Sequence, residues 1–197
     1  MSVDVIEEPI PALAEYGGIP IAFTVSEVFD VVDEADGGAR LEARRVPLPY
    51  IKDYDAIGDH PMRWAQQFDL SNWGFFSAFR GPQCVGRAAV ARDTSTLAML
   101  EGRRDLALLW DIRVAPMARR HGVGSALFAA AVTWARSRGC RQLKVETQNT
   151  NVAACRFYAH EGCVIRKVRR GAYPELPDEV QLLWFKDLGP SVQRVKL

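Results

Sequence analysis

A chain of 197 residues and 22.0 kDa, 48% apolar and 25% charged, has the size and composition of one ordinary folded domain. Disordered, collagen-like and low-complexity classes are excluded, and a chain of this length buries roughly 70% of its unfolded surface with no need of metal or disulfide staples. The net charge of +1 argues against a general nucleic-acid binder, and no apolar run approaches the ~20 residues of a membrane span. The acidic start, MSVDVIEEPIPALAEYGG, lacks the basic and apolar regions of a signal peptide, so a cytoplasmic protein is expected.

Charge is unevenly spread. Residues 1 to 39 hold nine acids and no Lys or Arg, which leaves the remainder at +10. Two readings stand: a solvated acidic leader, or a basic body that attracts a polyanionic ligand. Cys84, Cys140, Cys155 and Cys163 form no CxxC pair, and His60, His121 and His160 are not spaced as ligands beside them. No metal site and no disulfide framework are therefore expected.

In chain order, residues 1 to 20 contain Pro9, Pro11, Gly17, Gly18 and Pro20 without periodicity and read as a loose arm. A strand is expected over Phe23 to Val32, a turn over Asp33 to Gly38 and a returning strand over Arg40 to Val46. Pro47, Pro49 and the stretch Asp53 to Pro61 read as loop. Trp73 to Arg80, the turn Gly81-Pro82-Gln83, and Cys84 to Arg92 form a hairpin, and Leu106 to Ala115 is a central strand stopped by Pro116. A helix over Ser125 to Arg138, with Leu127, Ala131, Trp134 and Ala135 on one face, ends at Gly139. Strand Gln142 to Thr147 follows, then a helix capped by Asn151 and ended by Gly162. Two last strands, Val164 to Val168 and Val180 to Lys186, flank the loop at Pro174 to Pro177.

The strongest local signal is Arg119-Arg120-His121-Gly122-Val123-Gly124 between the central strand and a helix. A strand, a glycine turn and a helix start gather backbone N–H groups at the positive end of the helix dipole, which suits a pyrophosphate. Arg119 and Arg120 add charge, while His121 reads as a loop side chain rather than a base. A Rossmann site, with Glu146 meeting a ribose, is the alternative, but Leu127 stands where the third glycine belongs. A Walker site lacks its Gly-Lys-Ser/Thr.

Together with Asn151, Ala154, Phe157 and Tyr158 at Asn-x-x-Ala-x-x-Phe-Tyr spacing, the loop resembles that of the GNAT superfamily of acyl-coenzyme A N-acyltransferases, whose form is Arg/Gln-x-x-Gly-x-Gly/Ala. The resemblance implies an α+β fold with a mixed central sheet of six or seven strands and helices on both faces, forming one domain over residues 21 to 190. It implies acetyl-CoA as co-substrate, gripped by Arg119, Arg120, His121, Gly122, Val123, Gly124 and Ser125, with Asn151, Ala154 and Tyr158 also on the cofactor side. Ile112 then lines the pantetheine channel, and the Val114 main-chain N–H meets the charge that develops on the thioester oxygen. Tyr158 is placed to protonate the departing thiolate, a reasonable donation from a phenol of pKa ~10 to a thiol of ~8.5. An alkylamine arrives protonated, so Asp111 and Glu146 are the candidates to accept its proton or hold its charge.

Four stretches narrow the likeness to streptothricin acetyltransferases within that superfamily: Phe23 to Phe29, Pro49 to Tyr54, Trp110-Asp111-Ile112, and Glu146 to Asn149. Those enzymes acetylate the β-lysine part of the antibiotic. Trp110 departs from the carboxylate usual before that aspartate, and Arg169 from the Asp four residues before Tyr173, and both changes disfavour a cationic acceptor. Cys163 replaces a common Phe and alters packing. The expected function is acetyl transfer to a small-molecule amine, with no nucleic-acid or membrane partner and a homodimer compatible. A protein or peptide N-acetyltransferase and a non-catalytic CoA-binding module are the alternatives.

Overall fold

The computed structural model describes residues 2–33, 39–57 and 60–189. Nine strands and three α-helices are found among them: β1 (Asp4–Glu8), β2 (Phe23–Asp33), β3 (Ala39–Lys52), α1 (Trp64–Gln67), β4 (Trp73–Arg80), β5 (Gln83–Arg92), β6 (Leu106–Val114), α2 (Val123–Ser137), β7 (Gln142–Gln148), α3 (Val152–His160), β8 (Val164–Arg169) and β9 (Gln181–Asp187). The fold class is α+β, with seven strands in a mixed sheet and β2 and β3 in a ribbon of their own. Two compact units divide the chain. The first comprises the described residues within 1–21, 54–144 and 187–197, and the second 22–53 and 145–186.

In the first unit the strand order is β1-β4-β5-β6, each pair antiparallel. β7 opens in this unit, where the N–H groups of Arg141 and Gln142 both donate to Asp105 O. The hairpin is built as its residues dictate, with β4 and β5 buried almost throughout and Gly81 in the left-handed region at its tip (φ 56°). Helix α2 buries Val123, Leu127, Phe128, Ala131, Val132, Trp134 and Ala135, the apolar stripe expected of its spacing.

Two glycines set how closely α2 lies on the sheet. A Cβ at Gly74 would stand 2.5 Å from the Trp134 indole, and one at Gly86 would stand 2.8 Å from Val123 Cγ1 and 2.9 Å from Leu127 Cδ1. The helix therefore rests against bare backbone at both ends.

The segment read as a loose arm is ordered secondary structure. β1 pairs with β4 from Asp4↔Phe79 to Glu8↔Phe75, and Ile10–Gly18 forms a 3-10 turn that buries Leu13 and Tyr16. Pro9 stands at the N-cap of that turn and Pro11 in its first two positions, where the missing N–H costs nothing.

In the second unit the order β7-β9-β8 accompanies the β2–β3 ribbon. Strand β3 runs on through Pro47 and Pro49, contrary to the expected loop. The ladder breaks between Val25↔Tyr50 and Glu27↔Arg45, so both prolines occupy the irregularity, where no ladder donor is required. The expected turn at Asp33 to Gly38 lies largely outside the described residues. Asn149 ties this unit together: its N–H donates to Val180 O, its amide donates to Phe29 O at 2.9 Å, and its Oδ1 accepts from Val180 N at 2.8 Å.

Candidate active site

The first unit carries the loop between β6 and α2. Pro116 ends the strand and opens a 3-10 turn over Pro116–Ala118, after which Arg119 is extended and its Nε donates to Val114 O at 3.0 Å. Arg120 (φ 61°) and Gly122 (φ 81°) are both left-handed, and they bend the chain into the start of α2. No side chain caps that start, and Gly122 O already accepts from Ala126 N at 3.0 Å. A 15-residue helix thus presents its positive end without a capping side chain, behind a residue whose missing Cβ would meet nothing within 4 Å. With Arg119 and Arg120 alongside, the residues from Arg119 to Ser125 fit a diphosphate.

Strand β6 itself is irregular. Ala89 pairs with Asp111 and Val90 with Leu109, which leaves Trp110 as an extra residue in a bulge. Consecutive strand residues normally point to opposite faces, yet Trp110 and Asp111 reach one cluster: the Trp110 ring is 6.3 Å from Trp64, Trp64 is 5.2 Å from Tyr16, and Tyr16 OH donates to Asp111. Phe68 and Trp73 stand edge-on to Trp110 at 5.3 and 5.7 Å. Beyond the bulge, half-buried Ile112 and Val114 pair with Ala88 and Gly86.

Asp111 is 8% exposed and both of its oxygens are engaged. Arg113 donates to it through Nε at 2.9 Å and Nη2 at 2.6 Å, and Tyr16 OH donates at 3.0 Å. Arg113 also bonds Asp55 at 2.9 and 3.2 Å and Ile19 O at 3.1 Å. Burial alone would weaken the guanidinium's hold on its proton, but Asp111 and Asp55 outweigh it and hold Arg113 above the ordinary arginine range. Burial, and then the Asp111 charge, keep the Tyr16 phenol well above its usual pKa. The geometry makes Asp111 one member of a buried ion network.

The second unit carries Glu146, Asn151, Ala154 and Tyr158. Asn151 Oδ1 accepts from Ala154 N at 3.1 Å, which gives the Asn-x-x-Ala spacing a local cause: the N-cap reaches the third helical N–H. Tyr158 is buried in α3 with its ring 5.1 Å from Phe157. The Glu146 carboxylate receives the Tyr173 hydroxyl on Oε1, and Gln148 Nε2 bridges to Tyr173 at 2.8 Å and to the same oxygen at 3.3 Å. Burial, then the nearby Glu146, hold the Tyr173 phenol well above the ordinary range. Arg169 is exposed at the end of β8, and the neighbouring Arg170 pairs with Asp33.

The acetyltransferase (GNAT) family model matches residues 44–162, more than half of the chain. The chain belongs to the GNAT acetyltransferase family. Its relatives include a streptothricin acetyltransferase of Escherichia coli, 31% identical over 188 residues that cover 94% of this chain and 95% of the relative. Streptothricin acetyltransferase A of Bacillus subtilis is 29% identical over 143 residues, 72% of this chain and 75% of the other. A protein of Bacillus anthracis assigned as a streptothricin acetyltransferase, solved in complex with acetyl coenzyme A, superposes with TM-score 0.76 at 25% identity, covering 94% of this chain and 99% of that one.

For this GNAT enzyme the loop from Arg119 to Ser125 and the cap at Asn151 were visible in the sequence. Tyr16 and Tyr173 have partners 95 and 27 residues away, and no local pattern marks either contact. The alternation of Asp111 and Arg113 is a weak signal for an ion pair on one strand face. Nothing in the sequence signals the bulge at Trp110.

Proposed function

We propose that this GNAT acetyltransferase moves the acetyl group of acetyl-CoA directly onto a primary amine of a small molecule, with no covalent enzyme intermediate. The observation that carries this reading is the loop between β6 and α2, where an uncapped helix start, two left-handed residues and two arginines suit a diphosphate. When bound, acetyl-CoA supplies an acyl group activated as a thioester. The chain's part is to hold the phosphates at residues 119–125, to meet the charge growing on the acyl oxygen with the Val114 main-chain N–H, and to donate a proton from Tyr158 to the leaving sulfur.

Of the two carboxylates, Glu146 is the better acceptor for the amine proton. Its Oε2 has no hydrogen bond among the described residues, whereas both oxygens of Asp111 serve Arg113 or Tyr16. Trp110 stands in place of the carboxylate expected before Asp111, so one negative charge that would draw a polycation is missing and a less charged amine is favoured.

A thiol-release assay with acetyl-CoA tests the reading against a panel of streptothricin, monoamines with aromatic or alkyl flanks, and peptides. Turnover with small amines is expected. Turnover with peptides alone would overturn the small-molecule acceptor, and tight CoA binding without transfer to any amine would overturn catalysis.

A further inference from the structure

We infer that Arg80, at the end of β4, is a positioning residue that sets the direction of one main-chain donor in the diphosphate loop. This rests on the reading that residues 119–125 receive the donor's diphosphate. Arg80 closes the β4–β5 hairpin opposite Gln83, a rigid base next to the Gly81-Pro82 tip. Its Nη2 donates to His121 O at 2.8 Å, across 41 residues of sequence.

The carbonyl it holds belongs to the peptide plane that joins His121 to Gly122. In a trans peptide the C=O and the following N–H point in opposite directions, so a carbonyl fixed toward Arg80 sends the Gly122 N–H away from Arg80. Gly122 leaves that plane at φ 81°, and Arg120, one residue before it, is at φ 61°. A non-glycine residue in the left-handed region is disfavoured by its own Cβ, so the surroundings must hold this conformation against a relaxed alternative. The guanidinium supplies a charge-assisted hydrogen bond to that end. Arg80 thereby acts on the phosphates through the loop backbone, and its position on the hairpin is independent of the family's loop motif.

The test compares CoA with pantetheine, which shares the thiol arm and has no diphosphate. Wild type, Arg80→Met and Arg80→Lys are titrated with CoA by calorimetry and with pantetheine by ligand-observed NMR. In both variants the Kd for CoA is expected to rise, tenfold or more for Arg80→Met and at least threefold for Arg80→Lys, whose single ammonium replaces a planar fork. The Kd for pantetheine is expected to stay within twofold. An unchanged CoA affinity, or equal losses for the two ligands, would overturn the assignment. Full affinity for CoA in Arg80→Lys would reduce the role to charge alone and overturn the clamp. Should Arg80→Met not fold, Arg80→Lys carries the comparison by itself. A wild type that binds no CoA would sink the acetyl-CoA reading, a result distinct from a variant that behaves like wild type.

Discussion

The Asp111 carboxylate accepts three hydrogen bonds, two of them from a guanidinium that is itself shared with Asp55. Removing its charge leaves Arg113 buried and half-paired, and breaking such a pair costs about 3–5 kcal/mol. Glu146 is joined to a phenol and an amide, both neutral, so its loss disturbs a smaller balance. Asp111→Asn is therefore expected to fail first in stability, with a urea midpoint well below wild type. Glu146→Gln is expected to stay folded while kcat falls about 10²-fold or more, the scale of a lost general base. Chemical denaturation and steady-state rates on the same two proteins separate these roles, and a stable Asp111→Asn with an equally depressed rate would reverse the assignment.

At the scale of elements, the start of α2 is placed by what Gly86 lacks. Any side chain there meets Val123 and Leu127, the first buried turns of the helix, and overpacking of this kind costs about 1–3 kcal/mol. Gly74 meets Trp134 near the other end, and that indole is held by Glu7 at 2.9 Å with Arg138 stacked 4.1 Å from it. Gly86→Val and Gly74→Ala are both expected to lower the melting temperature. Only Gly86→Val is expected to weaken CoA binding out of proportion to its destabilisation, because it moves the loop end of the helix.

Elements with a strong local cause were legible beforehand. The β4–β5 hairpin has its Gly-Pro turn, α2 its apolar stripe and Gly139, and α3 its Asn151 cap, and each is found within two residues of its expected bounds. What was not legible depends on distant partners. β1 exists because β4 offers an edge, the prolines of β3 are absorbed by an irregular ladder, and Trp110 is re-aimed by pairing with β5. Periodicity cannot report a contact whose other half lies far along the chain.

For the molecule as a whole, the acids of the N-terminal 39 residues are not an idle leader. Glu7 meets Arg138 and Glu15 meets Arg87 in the first unit, while Glu27 meets Arg156, Asp30 meets Arg44 and Asp33 meets Arg170 in the second. Each such pair is worth little near the surface, but together they offset the field of the basic remainder. Stability should also depend on alkaline pH. Burial pushes the Cys155 and Cys163 thiols up to about 11, against ~8.5 in an unfolded chain. The folded state keeps these protons while the unfolded state releases them, so their stabilisation is complete below about pH 8.5 and is lost as the pH climbs toward 11. The urea midpoint is expected to fall between pH 8 and pH 10, and a Cys155→Ala/Cys163→Ala double variant should show a shallower decline.

The pairing of β1 with β4 also bears on synthesis. Residues 4–8 leave the ribosome some seventy positions ahead of their partners, residues 75–79. The leading strand has to idle unpaired through that interval, and the β4 edge stays open to strangers until it docks. A fusion or tag that delays the docking is expected to favour aggregation during expression, even where the finished protein would tolerate it.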